Sequence, residues 1–238
     1  MAGLLFIFAH PDDETFFAGG TIPRYADADV PIGLVCATRG ERGATANLCS
    51  ADELPRIRES ELREAGQILG VGEITILSYE DQKLWAAPAA EIRRHLVCAI
   101  RRQLPRIVLT FDPNGANQHT DHISISRFAM DAISAAADER WYPETGAPHT
   151  VERVLWPSPI VPFELSQTKN LAAQPGIDFL IDVSAFRETK RGALRAHRTQ
   201  FPGLSRMFSS DASLCWEAFR IGAGARPQSA PSADLFAM

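Results

Sequence analysis

The 238-residue chain, 45% hydrophobic and 22% charged, is the right size for one well-buried domain with at most a modest appendage. Its 24 basic and 29 acidic residues leave a formal charge of −5 with the arginines scattered, so no basic stripe marks a nucleic-acid or anionic-membrane partner. Cysteines at positions 36, 49, 98 and 215 are too dispersed for a metal knuckle and too few for a disulfide scaffold, which leaves them as small buried hydrophobes or spectators in a reducing cytoplasm.

The chain opens on an apolar run, residues 4–8, which lacks a basic region before it and reads as a strand rather than a signal peptide. No apolar stretch reaches membrane-spanning length. Where the run ends, His10-Pro11-Asp12-Asp13-Glu14 sets one imidazole and three carboxylates side by side. Further strands are expected at residues 32–38, 74–77, 107–111, 154–156 and 179–183. Helical spacing lies between them, in Leu62, Ala65 and Leu69, then Ile92, Leu96, Ala99 and Ile100, then Ile125, Ala129, Ala132 and Ala136. A helix beginning near Ser184 carries Lys190 and His197. Loops are expected at residues 143–148, 157–162 and 202–213. From residue 222 the chain dissolves into Gly, Pro, Ser and Ala, so residues 1–222 read as a single α/β domain and 223–238 as a C-terminal extension. Apolar strands alternating with amphipathic helices predict a Rossmann-like, three-layer α/β fold with a mostly parallel sheet.

Pro11, with its fixed φ and missing N–H, suits a sharp exit from the first strand, so that His10 and Asp13 converge on one point. Asp12 can face the same cavity without binding, which separates giving electrons to a metal from taking a proton from water. The same acids also suit a helix start, with Asp12 or Asp13 capping orphan N–H groups, and Glu14 fits the positive end of the helix dipole or a supporting hydrogen bond. A second group, His119-Thr120-Asp121-His122, follows the strand 107–111 and precedes a helix, with its histidines three apart on one face. The plainer alternative makes Asp121 an N-cap and both histidines surface residues. Both junctions lie where open α/β sheets bind ligands, so together they read as a divalent-metal hydrolase site. The glycine-containing stretch Thr38-Arg39-Gly40-Glu41-Arg42-Gly43 reads as a rim above it, and Arg58 either meets substrate or pairs with Glu61 or Glu41 as a clamp.

Taken together, His10-Pro11-Asp12-Asp13-Glu14, Thr38-Arg39-Gly40-Glu41, Arg58-Glu59-Ser60-Glu61-Leu62 and His119-Thr120-Asp121-His122 resemble the LmbE-like, or PIG-L, family of zinc-dependent N-deacetylases. Ala193-Leu194 and His197-Arg198-Thr199-Gln200 extend the resemblance; Thr120 stands where many members have proline and Thr199 where serine is common. It implies an LmbE-like fold and one zinc per chain on His10, Asp13 and His122, a set that leaves room for iron(II). It also implies Asp12 as general base, and His119 as the group that stabilises the tetrahedral oxyanion and protonates the departing nitrogen. Asp121 would orient and charge His119. Arg58 resembles a substrate-binding arginine, and Glu41 a contact to sugar hydroxyls. The implied reaction removes the acetyl group from an N-acetylglucosamine-containing small molecule, such as the malate conjugate that precedes bacillithiol, and homo-oligomers are a further expectation.

Two histidines and a carboxylate also describe the facial triad of non-haem iron oxygenases, but Asp12 and His119 suit proton movement better than oxygen chemistry. A sugar- or metal-binding module without turnover would have little use for an acidic base beside an open metal position. Hydrolysis of another N-acyl substrate stays open. No G-x-G-x-x-G or Walker sequence follows an expected strand, and Ser205 lacks a nucleophile elbow; with Met207 and Phe208 it reads as a loop around the pocket.

Overall fold

Seven strands form one sheet in the order β3-β2-β1-β4-β5-β7-β6. They are β1 (Gly3–Phe8), β2 (Ile32–Thr38), β3 (Glu73–Tyr79), β4 (Pro105–Leu109), β5 (Arg153–Pro157), β6 (Phe179–Asp182) and β7 (Trp216–Gly224). The computed structural model describes residues 3–158, 160, 162–165 and 167–237; of the expected loop 157–162, residues 159 and 161 lie outside the described residues. The helices are α1 (Asp13–Ala18), α2 (Thr21–Ala26), α3 (Leu54–Leu69), α4 (Ala89–Gln103), α5 (Gly115–Gln118), α6 (Thr120–Ala136), α7 (Pro162–Leu165), α8 (Arg187–Ala196) and α9 (Phe201–Met207).

Strands β3, β2, β1, β4 and β5 run parallel, and β7 lies antiparallel between β5 and β6. Helix α3 packs on α2 and α8, whereas α4 packs on α6, which gives a three-layer α/β fold with a mixed, mostly parallel sheet. Every residue of β1 and β2 is buried because both faces are covered, the physical reason for their unbroken apolar runs. At the edge, β3 is only partly buried. The helical stripes point inward as their spacing requires, with Leu62, Ala65, Leu69, Ile92, Leu96, Ile100, Ile125, Ala129 and Ala132 all buried. Phe111, just past β4, packs on Phe8 and Phe17 with ring centroids 5.1 and 5.2 Å apart. That contact joins the two junctions that carry the polar motifs.

From β1 the sheet grows outward through β2 and β3, and from β4 in the opposite direction through β5. The order therefore reverses between β1 and β4, and a crevice opens beyond their carboxyl ends. His10 to Asp13 leave one lip and Asp112 to His122 the other.

Helix α9 falls in the expected loop 202–213, and strand β7 has no counterpart among the expected strands. In β7 the charged Glu217 and the glycines look like surface punctuation, yet Gly222 is small because it packs against Trp156 of β5, where a Cβ would come within 2.3 Å of the ring. Glu217 is fully buried because Lys190 donates to it at 2.5 Å and the N–H groups of Gly20 and Thr21 donate at 2.9 and 2.7 Å. Replacing Lys190 by methionine should cost about 3–5 kcal/mol, toward the lower end because the two N–H groups remain. A denaturant midpoint unchanged in Lys190→Met would show that the pair contributes nothing.

The sequence-based boundary at residue 222 falls within β7. Beyond it Leu235 is fully buried, its N–H donates to the Tyr25 hydroxyl at 2.7 Å, and Arg153 donates to the carbonyls of Leu235 and Ala237 at 2.5 and 2.9 Å. Among the described residues no helix is long and apolar enough to cross a membrane.

Candidate active site

Past β1 the chain folds back at once: the His10 N–H donates to Asp13 Oδ2 at 2.8 Å, and α1 starts at Asp13. Asp12, at the tip, adopts φ 115° and ψ −25°. For a residue with a Cβ such a conformation costs on the order of 1–3 kcal/mol, although Asp visits it more readily than most. Past β4, α5 is a kinked turn that ends at His119, and α6 then starts with His119 as its N-cap, its Nδ1 accepting the Asp121 N–H at 3.2 Å.

The two lips meet. His10 Nδ1 and His122 Nε2 are 3.2 Å apart, Asp13 Oδ1 is 3.3 Å from His122 Nε2, and Asp13 Oδ2 is 3.5 Å from His10 Nδ1. Ligands at the usual zinc distances in a tetrahedron stand roughly 3.3 Å apart, so this spacing suits such an ion. The tautomers agree: His122 Nδ1 donates to Gly115 O at 3.2 Å, leaving Nε2 as a lone pair. His10 Nε2 faces Asp81 Oδ1 and Asp121 Oδ2, both at 3.2 Å, leaving Nδ1 as a lone pair. His119 also lies close enough to His10 and His122 to join a donor group, as do Asp81 and Asp121 around His10. Those two carboxylates, however, sit on the far nitrogen of His10 and accept main-chain N–H groups, Asp81 from Arg42 at 2.9 Å and Asp121 from Gln82 and Leu84 at 2.6 and 3.0 Å. The His/Asp cluster is consistent with a zinc-binding site.

Burial opposes the charge on Asp13, yet His122 and His10 beside it hold its carboxyl well below the usual carboxylate range. Burial pushes Asp12 up to about 6; the Arg58 guanidinium opposes that rise and Asp13 adds to it. His119 is depressed by burial and by the neighbouring His10 and His122. These groups line a cleft of about 440 Å³, to which Phe16, Phe17, Leu204 and Met207 add apolar surface and Arg42, Gln82, Asn117 and Gln200 polar groups.

The family described as PIG-L, GlcNAc-PI de-N-acetylase, matches residues 5–133. The chain belongs to the PIG-L family. A 1D-myo-inositol 2-acetamido-2-deoxy-alpha-D-glucopyranoside deacetylase of Streptomyces griseus is 32% identical to this PIG-L chain over 285 aligned positions, covering 98% of this chain and 88% of its own. Among solved structures, a conserved protein of Thermus thermophilus matches with a TM-score of 0.73 and 29% identity, over 94% of this chain and 96% of its own. The N,N'-diacetylchitobiose deacetylase of Pyrococcus horikoshii matches with a TM-score of 0.72 and 26% identity, over 92% and 83%.

Of the residues singled out in this PIG-L chain, His10, Asp12, Asp13, His119 and His122 line the cleft together. Three others are placed differently from expectation. The Asp121 carboxylate is turned to His10 rather than to His119, which it meets through its main-chain N–H and through its field. Arg58 lines the cleft, but it is 4% exposed and its Nη groups are committed to the protein: Nη1 to Gly40 O at 2.8 Å, Nη2 to Pro11 O and to Asp12 Oδ2, the latter at 3.1 Å. Gly40, at φ +63°, makes room for it, since a Cβ there would come within 2.1 Å of Nη1. Glu41 is not among the cleft-lining residues; its Oε1 accepts the Asp81 N–H at 2.7 Å and braces that loop. Met207 lines the cleft from helix α9.

Asp81, Glu14 and His197 carry more than sequence reasoning assigned them. Asp81 holds His10, and its signal was an acid just past β3, on the same sheet edge as both motifs. Glu14 and His197 form a buried pair, Oε1 to Nε2 at 2.7 Å, which no local pattern announces.

Proposed function

We propose that the protein is a zinc-dependent N-deacetylase acting on an N-acetylglucosamine-containing small molecule, with His10, Asp13 and His122 as metal ligands. The reading rests on one observation above all: three donors at tetrahedral spacing share a cleft with a fourth group, Asp12, whose carboxyl burial raises to about 6. His10, Asp13 and His122 would hold the zinc, which would supply Lewis acidity and an acidified water.

The chain's own groups do the rest. Asp12 is basic enough to take a proton from water as the amide carbonyl is attacked. Because the Asp121 N–H points at His119 Nδ1, the neutral ring carries its proton on Nε2 and donates it as a hydrogen bond to the charge developing on the carbonyl oxygen. That contact strengthens in the transition state. The same N–H leaves no place for a second ring proton, so the proton that the departing amine requires comes back from Asp12 rather than from His119. Acetate and a free amine leave without nucleotide, reductant or oxygen.

The substrates for which the two deacetylase relatives are named, an inositol glycoside and diacetylchitobiose, are uncharged. A neutral aglycone suits this cleft too. Arg58 is committed to the protein, and Arg42 donates to Asp81 O at 3.1 Å and Glu80 Oε1 at 2.6 Å, which favours a sugar or polyol over malate. The four cysteines are free, in keeping with a reducing compartment such as the cytoplasm, and homo-oligomers are the expected assembly.

The deciding experiment incubates zinc-loaded protein with N-acetylglucosaminides bearing inositol-like, sugar and malate-like aglycones and measures acetate and amine together. Equal release of both, with higher kcat/KM for the neutral aglycones, is the expected result. No release by fully metallated protein would defeat the substrate assignment, and tight binding without turnover would favour a binding module.

A further inference from the structure

The Pro11–Asp12 peptide is gripped at both of its polar atoms. Its carbonyl, on Pro11, accepts from Arg58 Nη2, the same group that reaches Asp12 Oδ2 at 3.1 Å. Its N–H, on Asp12, donates to Glu14 Oε2 at 3.0 Å. Glu14 is held in turn, since Oε1 accepts from Thr15 Oγ1 at 2.5 Å and meets His197 Nε2 at 2.7 Å. The turn that carries His197 is fastened to α3, where Glu61 accepts from Thr199 N at 3.0 Å and Thr199 Oγ1 at 2.7 Å. Three stretches far apart in sequence thus converge on one peptide plane.

That plane decides where the Asp12 carboxylate points, because Asp12 sits in a left-handed conformation that the chain does not hold unaided. The pair behind it is a poor packing device. Glu14 and His197 are 1% and 0% exposed, and His197 Nδ1 has no hydrogen-bond partner among the described residues, a cost that an apolar side chain would not carry. What the imidazole does is done through Nε2, toward Glu14.

We propose that Glu14, backed by His197, and Arg58 are positioning residues that lock the Pro11–Asp12 peptide and so aim the Asp12 carboxylate into the cleft. This rests on Asp12 as the base. Glu14→Leu removes the acceptor at similar bulk, whereas Glu14→Gln keeps an oxygen for the Asp12 N–H.

With the best glycoside of the panel, Glu14→Leu should lower kcat about 10- to 100-fold, the scale of a small misplacement of a reacting group, with KM and zinc per chain little changed. Glu14→Gln should recover most of the loss. In an Asp12→Asn background, followed through its residual rate over long incubations, adding Glu14→Leu should change kcat by less than about twofold, because the group being aimed is gone. Arg58→Lys and His197→Gln run the same cycle, so a Glu14 variant that does not fold leaves two arms standing. Wild-type kcat in Glu14→Leu, or an equal loss with and without the Asp12 carboxylate, overturns the proposal. The base reading is judged separately, by Asp12→Asn alone: full activity there removes it, and loss there with none in the positioning variants removes only the positioning role.

Discussion

Asp12→Asn should lower kcat by about 10²- to 10⁴-fold, the usual contribution of a positioned general base, and leave the metal in place. Asparagine is the informative substitution for two reasons. It tolerates the left-handed backbone at φ 115° as well as aspartate does, and its carbonyl oxygen can still accept from Arg58 Nη2. What disappears is the proton affinity, together with the negative charge that faces Arg58. Alanine would add backbone strain to the loss of the base and confuse the two. Zinc content by elemental analysis and acetate release, measured on the same preparation, check the result. An Asp12→Asn protein that loses zinc while its remaining metal-loaded fraction works normally would make Asp12 a ligand and not a base.

Removing the metal should abolish acetate release, and about one equivalent of zinc per chain should restore it. His122→Ala and His10→Ala should lower occupancy and turnover together, because each opens one corner of a donor set spaced 3.2 to 3.5 Å. Asp121→Asn gives the graded contrast. Its carboxylate touches no cleft atom of His119 but holds His10 Nε2, so it should weaken metal affinity by about 10- to 100-fold, and excess zinc should recover most of the rate. A kcat defect that excess zinc does not relieve would return Asp121 to a direct partnership with His119. Iron(II) restoring more activity than zinc would change the metal and leave the donors as they are.

Several parts of this architecture were legible from local pattern. β1 and β2 read as strands because strands covered on both faces must be apolar throughout, and the stripes at Leu62, Ile92 and Ile125 read as helices because only one face is buried. β7 was not legible, since Glu217 becomes a core residue only once Lys190 and the N–H groups of Gly20 and Thr21 surround it. Helix α9 is short and carries Pro202 and Gly203, which read equally well as a turn.

In the site the division follows the reach of each interaction. His10 and Asp13 are set by a turn of a few residues, and His119 and His122 by the first turn of one helix, so local geometry brings each of these groups to the cleft. Which groups stand behind them depends on strand order. Asp81 reaches His10 because β3 and β2 lie on one side of β1, and Asp121 reaches the same nitrogen because β4 lies on the other. Arg58 turned inward to Pro11 O and Asp12, Glu41 turned to the Asp81 N–H, and His197 paired with Glu14 are likewise tertiary facts. The sequence by itself determined which donors and acceptors stand at the crevice, because residue type and local turn decide what a group can donate or accept. Only the fold decided which buried partners hold those groups, because a hydrogen bond between distant segments exists only after the sheet has brought them together.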